Sequence, residues 1–88
     1  METTNIEILC TYSYYAHTST LGTMQVYGND EEVKEKIKQW WEEFIKCVPG
    51  DEYEFLVFIK ENWPDEINTL SDKNVKQITV HWSKEAYA

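Results

Sequence analysis

Apolar and polar residues alternate near the start of the chain, which is the pattern of a β-strand with one buried face. The alternation covers residues 6–16, where the even-numbered positions share one face and Leu9 is out of phase. The polar residues 17–20 predict a hairpin loop, and residues 21–27 predict a second strand. Gly22 inside this second strand indicates a β-bulge or a close approach to its backbone.

A helix is predicted next, because the apolar residues change to a helical period. Asn29 is a favourable N-cap, and Glu32 stands three residues later, as in a capping box. The helix is expected to run to about Val48, since Pro49 and Gly50 follow at once.

The apolar side chains of this helix form one stripe at 100° per residue. Trp41 and Ile45 lie nearer the edge of the stripe, and Cys47 lies within it and is expected in the core. The middle of the stripe consists of Val33, Ile37, Trp40, Phe44 and Val48.

The second half of the chain predicts two more strands. Residues 53–60 are apolar at most positions, which favours a central strand buried on both faces. Residues 61–74 are a long connection with a short helix starting at Pro64, and residues 76–84 alternate as a last strand. The prediction is one α+β domain over residues 1–88, in the order ββαβ(short α)β, with an antiparallel or mixed four-stranded sheet and one long helix packed on one face.

The charge of the chain is strongly negative. Sixteen acidic residues stand against eight basic ones, all of them lysines, and the formal net charge is −8. Arginine provides the planar fork that grips phosphate at two points, and the chain has none. Such a charge repels nucleic acids and anionic membranes, so we expect a protein partner with a basic surface.

Two observations bear on the compartment. The sequence shows no apolar run of the length that a signal peptide or a membrane-spanning helix needs. Its cysteines, Cys10 and Cys47, form no closely spaced pair. We therefore expect two free thiols in a reducing, cytoplasmic environment.

Motifs of the common enzyme classes are absent from the sequence, so we expect no catalytic site and no cofactor. Cys10, His17 and His81 are possible metal ligands only if the first and last strands are neighbours. The alternative is a buried cysteine and a histidine on the surface of a strand, and no metal is predicted.

The acidic residues concentrate in and after the predicted helix, and two interpretations of them remain open. One is a solvated surface. The other is a rigid anionic surface that imitates a nucleic-acid backbone and docks on a basic groove.

The aromatic residues also have two interpretations. They belong either to a core of large side chains or to an exposed second sheet face that binds a partner or a second copy of the chain. The residues concerned are Tyr12, Tyr14, Tyr15, Tyr27, Tyr53, Tyr87, Trp41, Trp63 and Trp82.

In its length, its acidity, its lysine-only basic residues and its lack of catalytic motifs, the chain resembles small acidic anti-defence inhibitors of phages and mobile elements, the anti-CRISPR and anti-restriction proteins. This resemblance is one of type and transfers no individual residues. It implies a non-catalytic inhibitor in the cytoplasm of a bacterial host, acting on a CRISPR effector or a restriction nuclease. Toxin-binding immunity proteins share the same features, and a homo-oligomeric interaction module is a third hypothesis.

The predicted partner-binding residues come from the acidic clusters and two tryptophans. They are Glu31, Glu35, Glu42, Glu43, Asp51, Glu52, Asp65, Glu66, Trp41 and Trp63.

Overall fold

The structure is a computed structural model that describes residues 2–12, 18–47, 51–68 and 75–82. Within these residues the chain forms a four-stranded mixed sheet and two α-helices, which confirms the α+β class. In chain order the elements are strand β1 (Thr3–Tyr12), strand β2 (Thr18–Tyr27), helix α1 (Asp30–Cys47), a 3₁₀ turn (Glu52–Glu54), helix α2 (Phe55–Asn62), a second 3₁₀ turn (Pro64–Glu66), strand β3 (Ile67–Asn68) and strand β4 (Lys76–Trp82).

The sheet is built around β1, and its strand order is β3-β2-β1-β4. β1 pairs antiparallel with β2 along the hairpin and parallel with β4 over residues 6–12. β3 pairs antiparallel with β2 at two positions. The first and last strands are therefore neighbours, and the helices lie between them in the sequence.

The predicted hairpin is confirmed, although its boundaries shift. The first strand was expected at residues 6–16 and begins earlier, at Thr3. Residues 13–17 lie outside the described part of the chain. The prediction of a loop over residues 17–20 is wrong for 18–20, because these polar residues already pair with β1.

Gly22 produces both of the features predicted for it. The register shifts here, since Ile8 pairs with Gly22 whereas Leu9 pairs with Thr20, so one residue of β2 is left out of the pairing. Gly22 has a φ of +149°, and a Cβ atom at this position would lie 2.6 Å from Cδ2 of Leu56. A side chain of α2 thus packs directly on the bulged backbone.

The start of α1 follows the sequence prediction. The backbone N–H of Glu32 donates to Oδ1 of Asn29 (2.9 Å), and the backbone N–H of Asn29 donates to Oε1 of Glu32 (3.3 Å). These are the two bonds of a capping box. The helix is described to Cys47, and residues 48–50 lie outside the described part.

The core lies between the inner face of the sheet and the two helices. The middle of the predicted α1 stripe is confirmed at each described position. Trp41, expected nearer its edge, is also buried, whereas the prediction that Cys47 lies in the core is wrong, because Cys47 is exposed. The buried apolar residues are Ile6, Ile8, Cys10, Met24, Val26, Val33, Ile37, Trp40, Trp41, Phe44, Phe55, Ile59, Ile78 and Val80.

The central strand predicted over residues 53–60 is wrong, because this segment is helical. Phe55 and Ile59, four residues apart, are fully buried, whereas Val57 is 53% exposed. Five consecutive apolar residues carry no period, so the sequence pattern could not separate a strand buried on both faces from a helix. Asp51 caps the preceding 3₁₀ turn, since its carboxylate accepts from the N–H of Tyr53 (3.0 Å). The observed order is ββααββ.

The long connection predicted over residues 61–74 is shorter than expected. Pro64 opens a 3₁₀ turn, where a short helix was predicted. The two-residue strand β3 follows and was missed, and residues 69–74 lie outside the described part. β4 begins at Lys76 as predicted and is described to Trp82.

Candidate partner-binding surface

The two helices cover the same face of the sheet and pack against each other. The rings of Trp40 on α1 and Trp63 after α2 are stacked, with centroids 5.0 Å apart. Phe44 contacts Phe55 at 5.3 Å and Phe58 at 5.4 Å. The surface formed by residues 30–66, called the helical side below, is therefore held on a single aromatic core.

Nearly all of the net charge belongs to the helical side. Residues 30–66 contain twelve acidic residues and five lysines, a formal charge of −7, out of −8 for the whole chain. The other residues contain four acidic residues and three lysines, a formal charge of −1. The negative charge is thus concentrated in one segment of the chain, which the total composition does not show.

The acidic residues are denser after α1 than on it. α1 carries six acidic residues and four lysines, a formal charge of −2. Residues 51–66, called the acidic segment below, carry six acidic residues and only Lys60, a formal charge of −5. The predicted contacts are divided evenly between α1 and the acidic segment, whereas the net negative charge is greater on the acidic segment.

The predicted contacts on α1 are all at the surface, but lysines interrupt them. Lys34, Lys38 and Lys46 are exposed on the same helix. The exposed predicted contacts are Glu31, Glu35, Glu42 and Glu43.

Two predicted contacts at the start of the acidic segment hold local structure. Asp51 is exposed, and its carboxylate caps the 3₁₀ turn. Glu52 is half-buried and accepts a hydrogen bond from the hydroxyl of Tyr12 on β1. Burial, together with the hydrogen bond to Glu52, raises the pKa of Tyr12 well above its usual 10.0. Glu52 therefore ties the segment to the end of β1.

The predicted contacts after α2 differ from each other. Asp65 is exposed. Glu66 is half-buried and lies 3.0 Å from Nζ of Lys36 on α1, which also donates to the backbone carbonyl of Tyr27 (2.7 Å). The Glu66 carboxylate thus has an internal partner that joins this turn to α1 and β2.

The two tryptophans predicted as contact anchors pack into the fold to different extents. Trp41 is only 5% exposed, and its indole N–H donates to the backbone carbonyl of His81 on β4 (3.2 Å). Trp63 is half-buried and stacked on Trp40. Trp41 is a core residue because β4 covers the side of α1 that the helical pattern placed at the border.

Two large apolar residues outside the set of predicted contacts are exposed. Tyr53 is 50% exposed and Val57 is 53% exposed, and both lie in the acidic segment. The signal for Val57 was present in the run Phe55–Ile59, which has more apolar positions than one buried helix face needs.

The outer face of the sheet is mainly polar in the residues described. Gln25 donates to Oδ1 of Asn5 (2.8 Å) and Asn68 donates to Oε1 of Gln25 (2.9 Å), which links three strands. These residues do not form the aromatic face predicted as a dimer interface. Tyr12 packs against the core, Tyr14, Tyr15 and Tyr87 lie outside the described residues, and the side chain of Trp82 is not described. By strand alternation this face carries Thr3, Asn5, Glu7, Leu9, Thr11, Thr23, Gln25, Tyr27, Asn68, Gln77, Thr79 and His81.

A metal site from Cys10 and His81 is ruled out by strand geometry. β1 and β4 are neighbours, as that site requires, but Cys10 is buried on the inner face and His81 is exposed on the outer face. A hydrogen bond joins Nδ1 of His81 to Oγ1 of Thr11 (3.0 Å). His17 lies outside the described residues, and among those described no three metal-ligating side chains come together.

A cleft of about 240 Å³ lies between the start of α1 and β4. Asp30 and Lys76, which line it, form an ion pair with each other, and Thr4 donates to Oδ1 of Asp30 (3.3 Å). The hydrogen bond from Lys76 holds the pKa of the Asp30 carboxyl below its usual 3.8. These groups join α1 to the sheet and have partners within the fold.

In the portion of the chain that is described, no helix is both long and apolar enough to cross a membrane. Comparison with known proteins finds no matching family model, no matching curated protein and no matching solved structure.

Proposed function

We propose that the protein is a non-catalytic inhibitor whose helical side docks on a basic nucleic-acid-binding surface of a bacterial defence nuclease, either a CRISPR effector or a restriction enzyme. The observation that carries this proposal is the separation of charge, with −7 on residues 30–66 and −1 on the rest of the chain. An inhibitor of this kind needs a charged surface that blocks the nucleic-acid-binding site of the nuclease, and it needs no catalytic group.

The rigidity of the helical side supports this mode of binding. The exposed carboxylates stand on helices and turns that are packed on the core, so little backbone conformational entropy is lost when a partner binds them. Glu31, Glu35 and Glu42 lie on one side of α1 over a rise of about 16 Å. A surface of this length can meet several cationic groups of a groove at once.

Electrostatic complementarity of this type acts mainly on the rate of association and on specificity. A basic groove that binds nucleic acid attracts the helical side much more strongly than it attracts the outer sheet face. The orientation of the encounter is therefore set before contact.

The test is a binding and cleavage assay with purified CRISPR effector complexes and restriction enzymes, each with its labelled DNA substrate. We expect one of them to lose DNA binding as the protein is added, and the inhibition to weaken as more DNA is supplied. Affinity should fall between about 50 and 300 mM salt because the charges are screened.

Glu42→Lys with Glu43→Lys should weaken inhibition by about tenfold or more, since each close charge pair contributes on the order of 1.5 kcal/mol or more. The matched control is Glu2→Lys with Glu7→Lys, which makes the same change in net charge outside the helical side and should change inhibition little. An affinity that neither salt nor Glu42→Lys with Glu43→Lys alters would contradict the proposal. Tight binding to a bacterial toxin, with no effect on any nuclease, would support the immunity-protein hypothesis instead.

A further inference from the structure

α2 is apolar on more sides than the fold buries. Its residues Phe55–Ile59 are all apolar, yet only Phe55 and Ile59 are fully buried. A surface helix of a globular domain normally has one apolar stripe and a polar opposite side. Leu56 and Phe58 are half-buried and pack against the core, so the apolar side chain of α2 that the fold leaves exposed is Val57.

Exposed apolar surface continues from α2 onto the 3₁₀ turn that precedes it. Tyr53 and Val57 are four residues apart and are the large apolar residues that stand exposed in the described part of the chain. Glu54 and Glu61, both exposed, lie within four residues of Val57 and border the same side. These four residues are called the α2 patch.

We propose that the α2 patch is the centre of contact with the partner, which presents an apolar pocket bordered by lysine or arginine residues. This inference rests on the proposed function. It adds which residues of the helical side insert into the partner's surface. Interface energy usually concentrates in a few central residues, often aromatic, surrounded by polar contacts. Tyr53 and Val57 provide such a centre, and the glutamates provide an acidic rim.

Charge complementarity decides between a basic partner and a second copy of this chain. The acidic segment has a formal charge of −5, so two copies meeting through their α2 patches would bring like charges together. A partner with basic residues around an apolar pocket removes this repulsion.

The experiment uses two synthetic peptides of 14 residues with the same number of lysines as probes. In the first peptide, leucine and lysine are spaced with a helical period, so that leucine lies on one face of the helix and lysine on the other. In the second peptide, serine replaces every leucine. Binding is measured by calorimetry and by NMR titration of the labelled protein. We expect the leucine peptide to bind about tenfold or more tightly than the serine peptide, because it buries the two exposed side chains. The largest shifts should fall within residues 51–61.

Tyr53→Ser with Val57→Ser should abolish the difference between the two peptides and leave the weaker binding of the serine peptide unchanged. Leu9→Ser is the matched control, since it removes a half-buried apolar side chain from the outer sheet face and should keep the difference. Val57→Gln alone is a second variant in the helix and should reduce the difference in part. Circular dichroism confirms that each variant is folded.

A double variant that still prefers the leucine peptide as strongly as the unmodified protein would overturn the inference. A dimer seen in sedimentation equilibrium, and lost in the double variant, would also overturn it and assign the patch to a second copy. Failure of the proposed function has a different signature, in which the leucine peptide binds at the α2 patch as expected but no CRISPR effector or restriction enzyme loses DNA binding when the protein is added.

Discussion

Individual acidic residues on the helical side divide into those that serve the fold and those available to a partner. Three carboxylates have a partner in another element, namely Asp30 with Lys76, Glu52 with Tyr12 and Glu66 with Lys36. Asp51 and Glu32 are engaged in capping. The remaining acidic residues are exposed, and they are Glu31, Glu35, Glu42, Glu43, Glu54, Glu61 and Asp65.

At Gly22 the backbone conformation and the packing both disfavour a side chain. Gly22→Ala should destabilise the protein by about 2–4 kcal/mol, because it combines a strained φ with overpacking against Leu56. Gly28→Ala is the comparison, since Gly28 has a φ of +127° but the nearest atom to its added Cβ, in Glu32, is 3.3 Å away. It should cost about 1–2 kcal/mol. Urea denaturation measures both, and equal costs would show that the contact with Leu56 is easily relieved.

The pKa of Asp30 gives a prediction about acid stability. The folded-state pKa lies below the usual 3.8, so the ion pair with Lys76 contributes stability that is fully present above that value and is lost as the pH falls through the folded pKa. The stability advantage of the unmodified protein over Asp30→Asn should therefore shrink with falling pH between about pH 5 and 2. Denaturant midpoints across this range measure it.

Lys76→Met should move the pKa of Asp30 back towards its usual value in an NMR titration, and an unchanged pKa would disprove the role of Lys76.

Among the elements, α2 is the one whose identity depends on tertiary structure. Its apolar run is compatible with a strand or a helix, and burial of Phe55 and Ile59 four residues apart distinguishes the helix. Ile59→Lys should cost several kcal/mol, about 3 or more, because it buries a charge in the core. Val57→Lys should change stability by no more than about 0.5 kcal/mol, since Val57 is half exposed. If both substitutions unfold the protein, the segment is buried on both sides as first predicted.

The reach of sequence-based prediction also varies from element to element. The hairpin and α1 could be predicted because alternation, a helical stripe and a capping box are local signals. β3 could not, since its two residues are held by pairing with β2 and leave no periodic pattern. Trp41 was placed at the border because its burial depends on β4, which is 35 or more residues away in the sequence. The candidate site followed the same division. The acidic residues were found from the sequence, whereas the exposure of Val57 was not, and that of Tyr53 was considered only on a sheet face.

At the scale of the whole molecule, charge separation should affect stability as well as binding. Like charges on the helical side repel each other in the folded state, so the melting temperature should rise as salt increases from about 20 to 300 mM. Glu42→Lys with Glu43→Lys should reduce this salt dependence more than Glu2→Lys with Glu7→Lys, although both change the net charge from −8 to −4. Differential scanning fluorimetry measures the effect. Equal reductions would mean that total charge matters and its location does not.

The parallel pairing of β1 with β4 has a consequence for the order in which the molecule is made. Ile6 pairs with Lys76, so the two neighbours are seventy residues apart in the chain. During synthesis β1 leaves the ribosome first and remains without this neighbour until β4 emerges. Until then the hairpin can form, but the edge of β1 that will become internal stays open to other chains. Completion of the sheet, and with it the covering of Trp41, therefore comes after formation of the hairpin and waits until β4 has been made.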